Sequence, residues 1–475
     1  MKQLKIPYGI SNYEKIATEN YYFVDKTQYI ERLEETGAPY LFFLRPRRFG
    51  KSLFVSMLEH YYDIARKEQF EQLFGNTYIG KNPTALRNSY PVLKFNFSMV
   101  STHGTFEEIM HSFLLYVLTE IKVFIRKYAE AFDLDQRIIE ELIKQKNTGD
   151  IFVLFHEEMK TKNVSFYLII DEYDNFANNI LAEHGRETYI NSTHGGGFLR
   201  SFFAIIKGLT DNREIDRLFI TGVSPLVMAD VTSGFNIGKN ISLSKHVTTL
   251  AGLNYEELKT MIDYYLPDKF NDIFPVLNEW YGNYCFNKQI THHIFNTTSI
   301  LYFIDQYLEQ DRLPDDLIYT NLRTDYGKMR FLLTEQRKLN GNFKMLAELA
   351  EKKETTGNLI DSFALDELIS QEKFQSLLFY LGFTTIKDVD ITGRFSFTIS
   401  NKLVDNLLWE YIRKALNETY SLNIDTNFVN NAFHDMAKIG EWKPIIEYII
   451  TKFYKAVSVR DFVFHEEGLK TFMLA

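Results

Sequence analysis

The motif RPRRFGKS, residues 45–52, has the residue types that bind the phosphates of a nucleotide. In a phosphate loop, glycine lets backbone N–H groups approach the phosphate oxygens, lysine reaches the β- and γ-phosphates, and serine ligates magnesium. Gly50, Lys51 and Ser52 would supply these groups. Because Arg45 stands where the first glycine is expected, a chance Gly-Lys-Ser in a basic turn is the alternative. The apolar run before the motif and the helical spacing after it favour the phosphate loop.

The segment YLIIDEYD ends an apolar run with two adjacent carboxylates, Asp171 and Glu172. This is the form of a Walker B element, in which the first carboxylate holds magnesium through water and the second polarises the attacking water. A solvated acidic turn is the alternative. Asp174, three residues after Asp171, is expected to cap the next helix or to bind the neighbouring loop.

A third polar site follows the apolar residues of RLFITGVSP, where Thr221 and Ser224 are candidates for sensing a γ-phosphate. The carboxyl ends of parallel strands meet at one edge of a sheet, so the three motifs are expected to converge there. An Asn/Thr-Lys-x-Asp motif for guanine is absent from the sequence, which makes adenine the expected base.

These motifs require strands and helices in alternation, and the sequence shows this pattern in its first half. The predicted strands are Tyr40–Leu44, Pro91–Phe97, Ser165–Ile170 and Arg217–Thr221. The predicted helices between them are Lys51–Arg66, Phe106–Phe132 and Phe198–Leu209. Buried strands separated by helices predict an α/β fold of the phosphate-loop NTPase class, with a parallel sheet and helices on both faces.

The second half has a different pattern. It is mainly helical from about Leu253, and Phe374–Thr398 is predicted to form a helix followed by two short strands around a turn, as in a winged-helix module. The chain is predicted to be helical again from Asn417. The expected division is a nucleotide-binding domain at residues 1–250 and a helical segment at residues 251–325, followed by a winged-helix-like module at residues 326–415 and a helical tail at residues 416–475.

Charge and composition limit the partners and the location of the chain. It has 475 residues and a net charge of −9, so contact with nucleic acid would require a local basic patch. Cys285 is the only cysteine, which excludes an intramolecular disulfide and a cysteine-built zinc site. No apolar run approaches the roughly 18 residues that span a bilayer. A cytoplasmic protein without membrane contact is predicted.

Five stretches together resemble the bacterial AAA-ATPase-like family: IPYGISNYEKI, YYFVDKT, FFLRPRRFGKSL, YLIIDEYD and FITGVSP. That family typically has RPRRFGKS as its phosphate loop, which implies that Arg45 is a family trait. The resemblance implies ATP and Mg²⁺ as cofactors, Lys51 and Glu172 as catalytic residues, and Ser52 and Asp171 at the metal. The implied nucleotide-binding residues are Asp25, Thr27, Arg47, Arg48, Phe49, Gly50, Lys51, Ser52, Leu53, Thr221 and Ser224.

The family typically carries a C-terminal nuclease-like domain of the PD-(D/E)xK class. The stretch VRDFVFHEEGLKTFMLA, residues 459–475, resembles the first helix that leads into that domain. The Asp and Glu-x-Lys that would bind the nuclease metal lie beyond this helix. Because a nuclease needs two or three metal ligands, no nuclease activity is expected from this chain.

The expected function is magnesium-dependent hydrolysis of the β–γ bond of ATP, used as a conformational switch on the C-terminal module. Two alternatives stay open. One is a scaffold that binds nucleotide with negligible turnover. The other is an effector directed to nucleic acid through its C-terminal module or through the missing nuclease domain. Oligomerisation also stays open.

Overall fold

A parallel five-stranded sheet forms the centre of the structure, which is a computed structural model. Residues 3–231, 237–290, 293–318, 332–335, 338–420 and 424–456 are described. The strands are β1 (Tyr40–Leu44), β2 (Val92–Asn96), β3 (Phe166–Asp171), β4 (Ile215–Gly222) and β5 (Lys239–Asn240). Their order in the sheet is β2-β3-β4-β1-β5, so β4 lies between β1 and β3.

Helices cover both faces of this sheet, as predicted. Phe166 in β3 contacts the rings of Phe124 and Phe155 on one face, and the next residue, Tyr167, contacts Tyr62 on the other. This is the alternation of side chains that a strand imposes. The helices of this half are α1 (Tyr13–Thr18), α2 (Gln28–Glu35), α3 (Lys51–Tyr62), α4 (Phe70–Phe74), α5 (Tyr78–Lys81), α6 (Phe106–Phe132), α7 (Ile138–Leu142), α8 (Thr148–Thr161), α9 (Asn175–Thr193), α10 (Phe198–Asp211) and α11 (Leu226–Val231).

Helix α6 shows how the local sequence sets the ends of an element. Thr105 and Glu108 form a capping box, in which each side chain accepts a hydrogen bond from the backbone of the other. At the other end the chain turns at Asp133, which has φ 52°. The apolar face between these ends is buried, so tertiary packing adds to the caps in stabilising this long helix.

The second half contains helices and small antiparallel sheets. Helices α12 (Tyr255–Tyr265), α13 (Phe270–Tyr281) and α14 (Thr297–Gln310) have their own hydrophobic core. The later elements are β6 (Thr334–Glu335), β7 (Lys338–Leu339), α15 (Gly341–Lys352), β8 (Glu354–Gly357), α16 (Gln371–Tyr380), β9 (Thr384–Val389), β10 (Phe395–Ile399), α17 (Lys402–Tyr420), α18 (Thr426–Ile439) and α19 (Lys443–Ala456). Short 3-10 helices lie at Ile64–Gln69, Phe97–Met99, Lys245–Val247 and Leu365–Ile369.

The helix and two strands predicted within Phe374–Thr398 correspond to α16, β9 and β10. Strand β8 joins them in a sheet of order β8-β10-β9. One hydrophobic cluster extends from the central sheet into this small sheet, and the division into four domains remains a prediction. The nuclease-like stretch at residues 459–475 lies outside the described residues. Within the described part of the chain, none of the helices has the combination of length and hydrophobicity that crossing a bilayer requires.

Candidate nucleotide-binding site

The predicted phosphate loop connects β1 to α3 and contains two residues with positive φ. Gly50, directly before α3, has φ 100°, and Arg48 has φ 72°. Glycine adopts such angles readily, whereas an arginine there is strained. Lys51 begins the helix, is buried, and donates from Nζ to the Pro46 carbonyl at 2.9 Å. Burial lowers the pKa of Lys51, so a phosphate in this loop would gain a poorly solvated cation as its partner.

Asp171 and Glu172 lie at the carboxyl end of β3, at the same edge of the sheet as the phosphate loop. Asp171 is buried, and the nearby Ser52 hydroxyl acts to lower its pKa. Burial raises the pKa of both carboxyl groups, and the charge of Lys51 opposes this effect. The loop and the acidic strand therefore form one electrostatically coupled site.

The Ser52 hydroxyl and the Asp171 carboxylate are the hard oxygen donors that Mg²⁺ prefers. In the part of the chain that the structure describes, there is no group of three or more His, Cys, Asp or Glu able to hold a metal ion. Magnesium is usually bound by one or two carboxylates together with substrate phosphates. The residues present fit a magnesium ion that arrives with a nucleotide.

Glu172 is held in an unusual conformation. Its φ is 48°, and strained backbone of this kind is concentrated at functional sites. Asn175 donates from Nδ2 to Glu172 Oε2 at 3.0 Å, and Asn179 donates in turn to Asn175 Oδ1 at 2.9 Å. This chain of amides fixes the orientation of the carboxylate that was predicted to polarise water.

A cavity of about 450 Å³ extends from the phosphate loop. All seven residues from Arg47 to Leu53 line one end of it, together with Glu172 and Asn175. The rest of the lining is largely apolar and comes from the N-terminal segment and the helical segment, including Pro7, Ile10, Tyr22, Phe23, Val24, Leu253, Met261 and Leu301. A lining that combines polar groups for phosphates with apolar side chains for a planar base is a feature of nucleotide sites.

The N-terminus of α14 binds the carbonyl groups of the phosphate loop. Asn296 Nδ2 donates to the carbonyl of Arg47 at 3.2 Å, and Thr297 Oγ1 donates to that of Phe49 at 3.2 Å. Thr298 donates to the Arg48 carbonyl from both its backbone N–H at 3.2 Å and its Oγ1 at 3.1 Å. Because all these bonds use carbonyls, the helix orders the loop without competing for the N–H groups that a phosphate needs.

Arg45 points away from the cavity. Its guanidinium is buried and donates to the carbonyls of Leu44, Ser242 and Thr248 at 2.9, 2.6 and 3.4 Å. The same group lies 4.6 and 4.5 Å from the ring centres of Phe43 and Phe286. Burial lowers the pKa of Arg45 to about 9.

Arginine in place of the first glycine therefore does not fill the cavity. Its side chain packs behind the phosphate loop, where it connects β1 with the segment that follows β5.

Four of the predicted binding residues lie elsewhere. Thr221 Oγ1 donates to the Phe43 carbonyl at 2.7 Å, and the Ser224 N–H donates to Asp174 at 3.1 Å. Asp174 therefore binds the loop that follows β4, whereas its side chain makes no capping hydrogen bond to α9, the other role predicted for it. The other two are Asp25 and Thr27, which bond to each other and to the start of α5. The cavity lining contains none of these four.

The structure also adds lining residues that sequence reasoning missed. Lys26, between the two predicted residues of the VDKT motif, lines the cavity and makes an ion pair with Glu257 in α12. Asn175, Thr297 and Thr298 are further examples. The motif signalled the region of Lys26 but not which side chain faces the cavity, and nothing in the sequence connects the start of α14 with the loop.

Comparison with known proteins identifies the family of the first half. A model described as AAA-ATPase-like, predicted AAA-ATPase, matches residues 7–232. The "uncharacterized protein in vnfD 5'region" of Azotobacter chroococcum mcd 1 is 25% identical over 298 residues, which cover 62% of this chain and 51% of that protein. This chain thus spans about half the length of the curated relative that it matches.

Two solved structures show a weaker likeness. A Walker-type ATPase of Pyrococcus abyssi matches with a TM-score of 0.46 and 14% identity, over 82% of this chain and 97% of that one. The ORC2 protein of Aeropyrum pernix, solved with ADPNP and ADP, matches with a TM-score of 0.33 and 12% identity, over 84% and 98%. Residues 7–232 belong to the predicted AAA-ATPase-like family.

Proposed function

We propose that this protein hydrolyses ATP in a magnesium-dependent reaction. The observation that carries the proposal is that Lys51, Ser52 and Glu172 line one cavity, while Asp171 lines a second cavity together with Ser52 and acts electrostatically on Lys51. Each group has the chemical type that phosphoryl transfer requires: a cation for the phosphates, oxygen donors for magnesium, and a carboxylate for water.

Each of these residues has a separate role in the proposed reaction. Lys51 binds the β- and γ-phosphate oxygens, and Ser52 and Asp171 hold magnesium, which neutralises phosphate charge when bound. Glu172 orients a water and accepts its proton. The water oxygen forms a bond to the γ-phosphorus as the bond to the β–γ bridging oxygen breaks. That oxygen leaves with the electron pair, which gives ADP and inorganic phosphate.

The apolar part of the cavity lining suits a planar, uncharged base such as adenine. The walls there are apolar side chains such as Ile10, Met261 and Leu301. The nearby Lys26 and Glu257 neutralise each other in an ion pair of 2.5 Å. A planar, uncharged base can bury its faces in this slot, where dispersion and the hydrophobic effect favour it.

The output of hydrolysis is a conformational change passed to the C-terminal module. The module packs directly behind the phosphate loop: the Phe286 ring contacts both the Arg45 guanidinium and Phe379 of α16. The last seven residues of α16, Phe374–Tyr380, are buried. A helix that reads DNA must present its side chains to the major groove, so this packing supports an internal switch over docking on nucleic acid.

The first test is calorimetry of MgATP binding to the chain and to Lys51→Ala. We expect binding by the chain and loss of about 2 kcal/mol or more in the variant, the scale of a hydrogen-bonded charge on a phosphate. Lys67→Ala, which removes an exposed lysine outside the cavity, is the control and should bind normally. Equal binding by both variants would show that the nucleotide lies elsewhere.

The second test measures turnover in Glu172→Gln. Glutamine keeps an oxygen that accepts the hydrogen bond from Asn175 but cannot take a proton at neutral pH. We expect retained ATP binding and a loss of about 10²-fold or more in kcat. Unchanged turnover would mean that Glu172 is not the base. A wild-type chain that binds ATP without turnover would be a nucleotide-binding scaffold.

A further inference from the structure

Three arginines in the phosphate loop have three different environments. Arg45 is buried behind the loop and bonded to carbonyls. Arg48 is exposed at the rim of the cavity. Arg47 is half-buried and lines the cavity at its polar end. The guanidinium of Arg47 has no hydrogen bond or ion pair within the described part of the chain.

Arg47 lines the same cavity as Lys51 and Glu172, the residues predicted to act on the nucleotide. Burial has the largest influence on the pKa of Lys51 and of Glu172, and the charge of Arg47 contributes to lowering both. Its guanidinium therefore lies close enough to act on the residue predicted to bind the γ-phosphate and on the residue predicted to activate water. Its backbone is fixed as well, since its carbonyl is bound by Asn296.

A half-buried guanidinium that makes no hydrogen bond or ion pair with the described residues can bind an anion of a ligand. With a nucleotide bound in this cavity, the anion near Arg47 would be a phosphate. Because Arg47 shares the cavity lining with Lys51 and Glu172, which are predicted to act at the terminal phosphate, we expect it to bind that phosphate. Guanidinium binds phosphate oxygens through two parallel hydrogen bonds, which a lysine cannot reproduce. The phosphate loop would then carry its own cation for the charge that develops during hydrolysis.

We propose that Arg47 is a catalytic arginine acting in cis, which contacts the γ-phosphate and stabilises its equatorial oxygens in the transition state. This rests on the proposed ATPase function. Arg47 forms no covalent bond, and the water proton goes to Glu172. A neighbouring subunit is then not needed for turnover, so kcat per chain should not depend on protein concentration.

The test compares Arg47→Ala and Arg47→Lys with the wild type. An arginine of this kind contributes about 10³-fold or more to kcat, so Arg47→Ala should lose at least that much. KM should change by less than about tenfold, because the lost contact strengthens only in the transition state. Arg47→Lys should recover only part of the loss. Binding of ADP with aluminium fluoride, which mimics the transferring phosphoryl group, should weaken in Arg47→Ala while ADP binding persists.

Two other arginines separate this role from a general effect of charge. Arg137→Ala removes an exposed guanidinium outside the site and should leave turnover unchanged. Arg48→Ala removes a cation at the rim and should act mainly on KM, as expected for an interaction made equally with substrate and transition state.

Three results would overturn the inference and leave the ATPase function standing. They are a kcat of Arg47→Ala within about tenfold of wild type, an equal loss of kcat in Arg48→Ala, and a wild-type kcat that rises with chain concentration. The last would place the arginine on a second copy. Absence of turnover in the wild type would overturn both the proposed function and this inference.

Discussion

At the scale of single residues, the phosphate loop places arginine where backbone geometry favours glycine. Arg48 has φ 72°, and its carbonyl is taken up by two hydrogen bonds from Thr298. A non-glycine residue in this conformation is strained by about 1–2 kcal/mol. The hydrogen bonds from α14 therefore hold the loop in a conformation that is unfavourable for the backbone of Arg48. In this conformation the Arg48 side chain places a cation at the rim of the cavity.

Arg48→Gly should stabilise the folded chain. Glycine relieves the strain at positive φ and loses some of that gain through the greater freedom of the unfolded chain, which leaves about 1 kcal/mol. Urea titration measures the free energy of unfolding of the variant and of the wild type, and the difference gives this gain in stability. Arg47→Gly is the matched control, because Arg47 is not among the residues with positive φ and glycine there should destabilise. A change in stability of the same sign in both variants would contradict the inference that the backbone is strained at Arg48.

The residue types of the site could be predicted from the sequence, but their neighbours could not. Lys51, Ser52, Asp171 and Glu172 meet at one edge because each follows or ends a strand of a parallel sheet, which the apolar runs disclose. Thr221 also ends a strand, yet its hydroxyl bonds to the adjacent strand β1. That outcome depends on the order of strands in the sheet, which a single sequence does not contain.

At the scale of elements, prediction succeeded where an apolar run was long. The strands predicted at Pro91–Phe97, Ser165–Ile170 and Arg217–Thr221 agree with β2, β3 and β4 to within two residues at each end. Strand β5 was missed because it has only two residues, Lys239 and Asn240, and neither is apolar. It exists through pairing with Leu41 and Phe42, about 200 residues away in the chain.

Helix α14 acts on the phosphate loop through Thr297 and Thr298, and valine at both positions should weaken nucleotide binding. Valine keeps the shape and removes two side-chain hydrogen bonds, while backbone N–H groups still serve both carbonyls. The loss of loop order should amount to about 1.4 kcal/mol, which is tenfold in the Kd for MgATP. Calorimetry measures this directly.

Thr119→Val is the matched control for that pair. Thr119 donates to the Leu115 carbonyl within α6, at an exposed position outside the cavity. The control should change neither affinity nor, by more than a few tenths of a kcal/mol, stability. If the double variant binds MgATP as the wild type does, the α14 contacts shape the fold without ordering the loop for its ligand.

At the scale of the whole molecule, the phosphate loop is enclosed from two sides. Helix α14 binds its carbonyls, and Gly382 of the C-terminal module lies against Pro46. Phe286, which contacts Phe379 of the module, packs on Arg45. Thr385 of β9 also accepts a hydrogen bond from the backbone of Cys285 at 2.6 Å, which fixes the module to the segment that carries Phe286. A shift of the loop on binding or hydrolysis must therefore move, or be resisted by, both neighbours.

Gly382 is the closest point of this contact, and Gly382→Ala should disturb it. Gly382 has φ 84°, and a Cβ added there would lie 2.8 Å from Cγ of Pro46. Gly393, at the turn between β9 and β10, has φ 82° with no atom within 4 Å of such a Cβ, so Gly393→Ala measures the backbone strain alone. We expect Gly382→Ala to destabilise the chain by about 1–3 kcal/mol more than the control, since overpacking is added to the same strain. Only Gly382→Ala should also weaken MgATP binding, because only it displaces the loop at Pro46. Equal stability and equal affinity of the two variants would mean that the contact between the module and Pro46 does not influence the phosphate loop. The proposed conformational change would then have to reach the module through other contacts.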